Sequence, residues 1–239
     1  NPLTPIQLSA ERLRRKYANE IVTDPEVFQT CTDTIVRHVD DIGRMVDEFS
    51  AFARMPSPVI KKHELREIAR QTMFLQSNGR SDIAYAQDIP QAPCWAECDA
   101  RQIAQALTNL LKNAAEAIDA RESSPDKNLP KGNILMRLSC NDTEACIAVE
   151  DDGKGLPVEE RNTLTEPYVT TRKKGTGLGL AIVKKIMEDH HGRLALEDRS
   201  GGGAVVKLIW PLQQPKADAL SKTGESGNVS TAASGSKTA

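Results

Sequence analysis

The sequence has no excess of charge of either sign and no long apolar run. Its 239 residues carry a formal net charge of −2, so it lacks the basic surplus that nucleic-acid-binding domains use. No apolar run approaches the ~18 residues that a membrane span needs, and no signal peptide opens the chain. We therefore expect no nucleic-acid partner and no membrane-spanning segment within these residues.

Cysteines are few, and their spacing is irregular. The five lie at positions 31, 94, 98, 140 and 146, and no two form a Cys-x-x-Cys pair. This odd count and scattered spacing predict buried thiols in a reducing compartment rather than a disulfide framework or a zinc site.

The chain begins with Asn1 rather than Met, and helical periodicity starts at once. We expect a piece of a longer protein, whose missing part could carry a transmembrane segment. Any anchor would then lie upstream of Asn1.

Apolar residues at alternating steps of three and four predict two helices before Pro56. They are Leu3, Ile6, Ala10, Leu13 and Tyr17, then Ile35, Val39, Ile42, Val46, Phe49 and Ala53, and we call the second set the seam. Two such helices form an antiparallel hairpin, predicted over residues 1–55. One hairpin has too little core to be stable, so we expect two to pair as a four-helix bundle in a homodimer.

The rest of the chain divides by composition. Residues 56–63 are typical of a linker, and residues 64–212 alternate predicted strands and helices. Residues 213–239 hold almost no large apolar side chain, which predicts a disordered tail. The predicted fold class is α+β, with a helical hairpin followed by an α/β sandwich.

Three polar motifs stand out in the sandwich. Asn109 and Asn113 lie four residues apart on a predicted helix, so their amides share one face and could ligate Mg²⁺. Glu150-Asp151-Asp152-Gly153-Lys154-Gly155 follows a strand, where a carboxylate can accept from the amine of adenine. Gly175-Thr176-Gly177-Leu178-Gly179 opens a helix, whose amides attract phosphate. Each has an ordinary alternative: solvated amides, a tight Asp-Gly turn and a flexible loop.

The order of these motifs resembles the N, G1 and G2 boxes of the histidine-kinase ATPase superfamily. Glu166-Pro167-Tyr168-Val169-Thr170-Thr171 resembles the F box of the lid between G1 and G2. Residues 166–186 are especially similar to the NtrY-like sensor histidine kinases of nitrogen regulation. Asn1-Pro2-Leu3-Thr4-Pro5-Ile6 resembles the end of the family's H box, which places the phosphate-accepting histidine upstream of Asn1.

The resemblance implies roles for the matching residues. Asn113 would bind Mg²⁺, with Asn109 helping at the metal or phosphates, and Asp151 would contact adenine in a pocket shaped by Gly153 and Gly155. The lid and phosphate residues would be Thr171, Arg172, Gly175, Thr176, Gly177, Leu178 and Gly179. Asn1 would match a position implicated in dephosphorylating the partner protein.

The function implied is transfer of the γ-phosphoryl group of ATP to a histidine, then to an Asp in the receiver domain of a response regulator. A phosphatase activity toward the regulator is compatible with this. The resemblance also implies a cytoplasmic location for these residues, in a parent protein anchored in the bacterial inner membrane. The alternative is a non-kinase module of the same superfamily, which uses nucleotide as a clamp. Tyr168 in place of Phe, and Glu116 where some members carry Lys, are departures from the family pattern. His38 lies on the second helix, so we predict a solvated residue rather than the acceptor.

Overall fold

The computed structural model describes residues 3–122, 131–157, 161, 163–169 and 175–212. The predicted helices and strands are confirmed, with one additional strand near the linker. In chain order the elements are α1 Leu3–Tyr17, α2 Pro25–Ala53, β1 Lys61–Glu64, α3 Leu65–Ser77, β2 Ile83–Asp88, β3 Trp95–Cys98, α4 Ala100–Glu122, β4 Gly132–Cys140, β5 Glu144–Asp151, α5 Gly179–Asp189, β6 Arg193–Asp198 and β7 Ala204–Pro211. None of the described helices has the length and apolar character needed to cross a membrane.

Helices α1 and α2 pack together as the predicted hairpin. Ala10 and Val39 are buried between them, and Arg14 pairs with Asp33 across the hairpin at 2.7 Å. The seam is otherwise open: Val46, for example, is 48% exposed. The homodimer remains a prediction, and these apolar side chains are the surface available to it.

The remainder is a layered α/β sandwich. Its five-stranded mixed sheet has the order β2-β4-β5-β7-β6, in which β2 and β4 are parallel and the other neighbours antiparallel. Helices α3, α4 and α5 pack with the sheet around a core that includes Leu107, Ile118, Met136 and Trp210. In β4 buried and exposed residues alternate, as expected when one face of a sheet is covered.

Two features near β3 differ from the sequence-based expectations. The linker is shorter than the predicted residues 56–63, because Lys61–Glu64 forms β1 and pairs with β3. The expectation that the cysteines are thiols rather than disulfides is wrong for one pair, since Cys94 and Cys140 form a disulfide with a Cα–Cα distance of 6.0 Å. The two are 46 residues apart, and only the arrangement of strands brings them together. Burial raises the pKa of the remaining buried thiol, Cys98, to about 11, with a smaller contribution from the charge of Asp99.

Candidate functional site

Asn109 and Asn113 lie one turn apart on α4, as predicted. Both are half-buried, and the buried Nδ2 of Asn109 has no hydrogen-bond partner among the described residues. An unpaired buried amide costs ~1–3 kcal/mol, so Asn109 is a group that a bound ligand would satisfy. Amide oxygens are also hard donors of the kind that Mg²⁺ accepts, so the pair fits a metal–phosphate ligand.

Asp151 ends β5 and is only 5% exposed. Its Oδ1 accepts a hydrogen bond from the Gly153 N–H at 2.9 Å, which orients the carboxylate in the turn that follows the strand. The turn is attached to α4, because the Lys154 N–H donates to the Ala117 carbonyl at 3.1 Å. The predicted adenine-binding carboxylate and the predicted metal-binding helix are thus one rigid unit.

The glycines of this turn are required by protein contacts. A Cβ on Gly153 would lie 2.6 Å from the backbone of Ala117, so this glycine allows the turn to approach α4. Sequence reasoning missed Gly203, where a Cβ would lie 1.9 Å from the carbonyl oxygen of Asp151. Gly203 ends the glycine run 201–203 between β6 and β7, and nothing in its spacing indicates its contact with Asp151.

Asp152, next to Asp151, is a structural anchor. It accepts from the Asn133 N–H and Nδ2, both at 2.9 Å, and pairs with Arg121 at 3.3 Å. Burial acts to raise the pKa of Asp152, but the hydrogen bonds from Asn133 and the charge of Arg121 outweigh burial and lower that pKa. The ionised carboxylate therefore ties the end of α4 to β4 beside the turn.

The second glycine motif lies at the start of α5. Gly177 has φ +72°, and a Cβ there would lie 2.7 Å from the Tyr168 backbone, so only glycine fits beside the lid segment. Gly179 begins α5 facing Asn113, whose amide atoms would lie 3.7 Å from a Cβ at this position. Leu178, predicted as a binding residue, is fully buried in the core instead.

Residues from all three motifs line one cavity of about 600 Å³, within the usual size range of small-molecule sites. The predicted residues in its wall are Asn109, Asn113, Gly155, Gly175, Thr176, Gly177 and Gly179. Asp151, Gly153 and Leu178 are not among the lining residues. Lys112 and Lys154 also line the cavity and supply positive charge that the motifs did not predict.

The opposite wall of the cavity belongs to α2 of the hairpin, which sequence reasoning did not predict. Six α2 residues take part: His38, Asp41, Ile42, Arg44, Met45 and Glu48. His38 is exposed, as predicted, but it lies at this wall rather than away from the site.

Two contacts hold α2 against the lid side of the cavity. The Thr176 hydroxyl donates to the Glu48 carboxylate. The rings of Phe49 and Tyr168 stack with centroids 6.2 Å apart. The hairpin and the sandwich therefore share the cavity. The predicted site residues Asn1, Thr171 and Arg172 lie outside the described residues.

Comparison with known proteins identifies the fold around this cavity. Residues 98–214 match the model of the histidine kinase-, DNA gyrase B- and HSP90-like ATPase family. The nitrogen regulation protein NtrY of Azorhizobium caulinodans is 53% identical over 221 residues, which cover 91% of this chain and 28% of that protein. The chain belongs to the NtrY-like sensor histidine kinases. A putative NtrY-like sensor histidine kinase of Rickettsia felis is 40% identical over 95% of the chain and 36% of its own length.

Solved structures agree with this family assignment. The catalytic domain of the histidine kinase ThkA matches with 28% identity and a TM-score of 0.56, over 64% of this chain and 95% of that domain. The same kinase in complex with its response regulator TrrA matches with 24% identity and a TM-score of 0.65, over 90% and 59% of the two chains. At that identity the second match shows the fold alone. The NtrY-like chain spans about a third or less of the curated relatives named above.

Proposed function

We propose that this chain is the catalytic portion of a sensor kinase that binds ATP with Mg²⁺ and transfers the γ-phosphoryl group to a histidine upstream of Asn1. An Asp in the receiver domain of a response regulator would be the next acceptor. One observation carries the proposal: residues of three predicted nucleotide motifs line a single cavity whose opposite wall is a helix of the hairpin. Phosphoryl transfer to a hairpin histidine needs this juxtaposition.

Asp151 would select adenine. Its carboxylate is buried and oriented by the Gly153 N–H, so it can accept from the exocyclic amine of adenine. Guanine would present a carbonyl oxygen to the same carboxylate, and two acceptors facing each other would leave both unpaired.

The phosphates would lie between the start of α5 and the Asn face of α4. The first turn of α5 lies close to Asn113 at Gly179, and the free amides of a helix start attract phosphate. Lys112 and Lys154 add positive charge at the cavity wall. Mg²⁺ held by Asn113, with Asn109 beside it, would neutralise phosphate charge as the phosphoryl group leaves.

The α2 wall favours a kinase over the nucleotide-clamp alternative. A clamp needs no acceptor side chain beside the phosphates, whereas a kinase must bring one there. Here Met45 and Glu48 of the hairpin line the nucleotide cavity, and Phe49 stacks on the lid. The hairpin is thus held where a phosphate acceptor would be useful.

The same proposal includes the oligomeric state of the kinase, its protein partner and its location. Its open seam supports a homodimer, and the solved complex of ThkA with TrrA supports a response regulator as partner. The names of the relatives support a role in nitrogen regulation. We also include a phosphatase activity toward the regulator, and an inner-membrane anchor outside these residues with the chain itself in the cytoplasm.

Calorimetric titration with a nonhydrolysable ATP analogue and Mg²⁺ tests the site. Asp151→Ala removes the adenine contact and Asn113→Ala removes a metal ligand, so each should weaken binding at least tenfold, about 1.4 kcal/mol. Asp142→Ala and Asn78→Ala are matched controls, because both side chains are exposed and lie outside the cavity wall. The controls should bind like the wild type.

Two negative outcomes are possible. Wild-type affinity in Asp151→Ala would remove the adenine assignment. Equal affinity with and without Mg²⁺ in both wild type and Asn113→Ala would remove the metal assignment.

A further inference from the structure

The segment that joins α2 to the sandwich is fastened to the start of α4 by two buried side chains. The Val59 N–H donates to Asp99 Oδ2 at 2.9 Å, and Gln102 Nε2 donates to the Pro56 carbonyl at 2.8 Å. Asp99 and Gln102 are 3% and 5% exposed, so both bonds are shielded from water on the α4 side. The connection between hairpin and sandwich is therefore a fixed joint, which we call the linker clamp.

Asp99 also connects the two helices of the nucleotide site. Its Oδ1 caps α4 by accepting from the Arg101 N–H at 3.0 Å, and its own N–H donates to His190 Nε2 at 2.9 Å. His190 lies at the end of α5, where its Nδ1–H donates to the Ile186 carbonyl at 2.7 Å. A single residue thus joins the linker, the start of α4 and the end of α5.

The electrostatics of Asp99 suit this role. Burial acts to raise the pKa of Asp99, but the N–H groups of Val59, Arg101 and Gln102 and the Arg101 side chain together lower it. An ionised carboxylate makes stronger hydrogen bonds than a neutral group does.

Packing reinforces the clamp on the other side of the linker. Phe52, in the last turn of α2, and Met55, just beyond it, are partly buried against the core of the sandwich. The end of α2 is therefore held by apolar contact, while Pro56 and Val59 are held by hydrogen bonds. The joint has two different kinds of attachment within a few residues.

The clamp lies where the end of α2 meets the start of α4, and the cavity lies between these two long helices, which act as the arms of the joint. At 1.5 Å per residue, Met45 is about 12 Å back along α2 from Ala53, and Asn109 is about 15 Å along α4 from Asp99. A change of about 10° in the angle between the arms would move these residues apart by roughly 2–3 Å. A misplacement of about 1 Å in a reacting geometry can cost on the order of a hundredfold in rate.

We propose that Asp99 and Gln102 are positioning residues for phosphoryl transfer, which set the angle between the hairpin and the nucleotide-binding helix α4. This inference rests on the proposed function. Asp99 and Gln102 would fix the geometry of transfer without holding the nucleotide, because neither side chain lines the cavity.

Three variants separate the clamp from general stability. Asp99→Asn keeps an oxygen to cap α4, as Asn is a good cap, but turns an NH₂ group toward the Val59 N–H. Gln102→Met keeps much of the side-chain volume but cannot donate to Pro56, and Gln102→Ala removes the group. Gln71→Ala, on the exposed face of α3, is the matched control.

The measurements combine hydrogen exchange of the linker with kinetics of autophosphorylation in the full-length kinase. We expect the Val59 amide to exchange at least tenfold faster in Asp99→Asn. In all three clamp variants, kcat should fall at least tenfold, while KM for ATP and the Kd of the nonhydrolysable analogue stay within twofold. Gln71→Ala should match the wild type in every measurement.

Two results would overturn the proposal while leaving the nucleotide site intact: wild-type kcat in variants whose linker exchanges rapidly, or an unchanged exchange rate of Val59 in Asp99→Asn. A joint loss of kcat and nucleotide affinity would also overturn it, because the residues would then support the site itself. A wild-type kinase that binds nucleotide but transfers no phosphoryl group would refute the proposed function together with the positioning role.

Discussion

Two neighbouring glycines provide a test of how the position of Asp151 is set. Gly202 and Gly203 both have φ +100°, a left-handed conformation that disfavours any side chain. A Cβ on Gly202 would meet no atom within 4 Å, whereas a Cβ on Gly203 would lie 1.9 Å from the Asp151 carbonyl oxygen. Alanine at either site therefore has the same backbone strain, and only alanine at 203 collides with the end of β5.

The magnitude follows from this difference. Each alanine costs ~1–3 kcal/mol for its backbone conformation. Real Cβ atoms essentially never approach other atoms within 3.0 Å. With alanine at position 203, either Asp151 or the turn between β6 and β7 must therefore also move by more than 1 Å. Such a shift in a packed region costs a further ~1–3 kcal/mol. At roughly 2–4 °C per kcal/mol, Gly203→Ala should melt about 2–12 °C below Gly202→Ala.

Nucleotide binding should separate the two variants more clearly. A displacement of this size exceeds the tolerance of a hydrogen bond, so Gly203→Ala should lose the Asp151 contact to adenine. Loss of a bond to a charged group costs ~1.5–3 kcal/mol, which corresponds to an increase in Kd of roughly 10–150-fold. Gly202→Ala should bind within twofold of the wild type.

Melting curves and titration calorimetry on the same samples make the comparison. Equal Kd values in the two variants would refute the argument that the turn before β7 positions Asp151, even if both variants were destabilised. Equal melting temperatures would refute the collision itself. Neither result depends on the phosphoryl acceptor, so the test applies to this chain alone.

Three further predictions concern the hairpin, the pH dependence and the acceptor. Val46→Asp should convert a dimer to a monomer in light scattering at several concentrations, and a wild type that is monomeric at high concentration would contradict the predicted dimer. The pKa of Asp152 is lowered in the fold, so its pairing with Arg121 and Asn133 stabilises the protein above its ordinary pKa near 4 and is lost as pH falls through the folded value. The melting difference between wild type and Asp152→Asn should therefore be largest near pH 7 and shrink below pH 4. With labelled ATP this chain should remain unlabelled, because a place on the cavity wall does not give His38 the in-line approach that transfer needs. Acid-labile label that is lost in His38→Ala would make His38 the acceptor.

Much of the fold could be predicted from periodicity and from local chemistry. Heptad steps predicted α1 and α2, and alternation predicted the strands of the sheet, because both patterns record a face that must be buried. Asp99 stands just before the apolar pattern of α4, as a helix cap does, and it caps α4 through the Arg101 N–H. The strand β1 was missed because Lys-Lys-His-Glu has no apolar alternation. Its extended conformation is recognisable from its pairing with β3, which the structure shows.

The candidate site was predictable where its residues are close in sequence. Asn109 and Asn113 needed only helical spacing, and the glycine motif at Gly179 needed only its place before a helix. The contact of Gly203 with Asp151 and the Cys94–Cys140 disulfide join segments that are far apart in the sequence, so no local pattern marks them. The resemblance to sensor kinases is confirmed by the relatives, while the roles of individual site residues remain predictions.

The α2 helix shows why a seam in the sequence does not identify what covers it. Ile42 and Phe49 belong to the predicted dimer seam, yet Ile42 lines the nucleotide cavity and Phe49 stacks on Tyr168. At about 100° per residue, the cavity-facing residues are centred roughly 100° around the helix from the seam, and Ile42 and Phe49 lie at the border of the two faces. Dimerisation and docking of the sandwich therefore use adjacent faces and are compatible in one molecule. Val46 lies near the centre of the seam, so its substitution separates the dimer contact from the cavity wall.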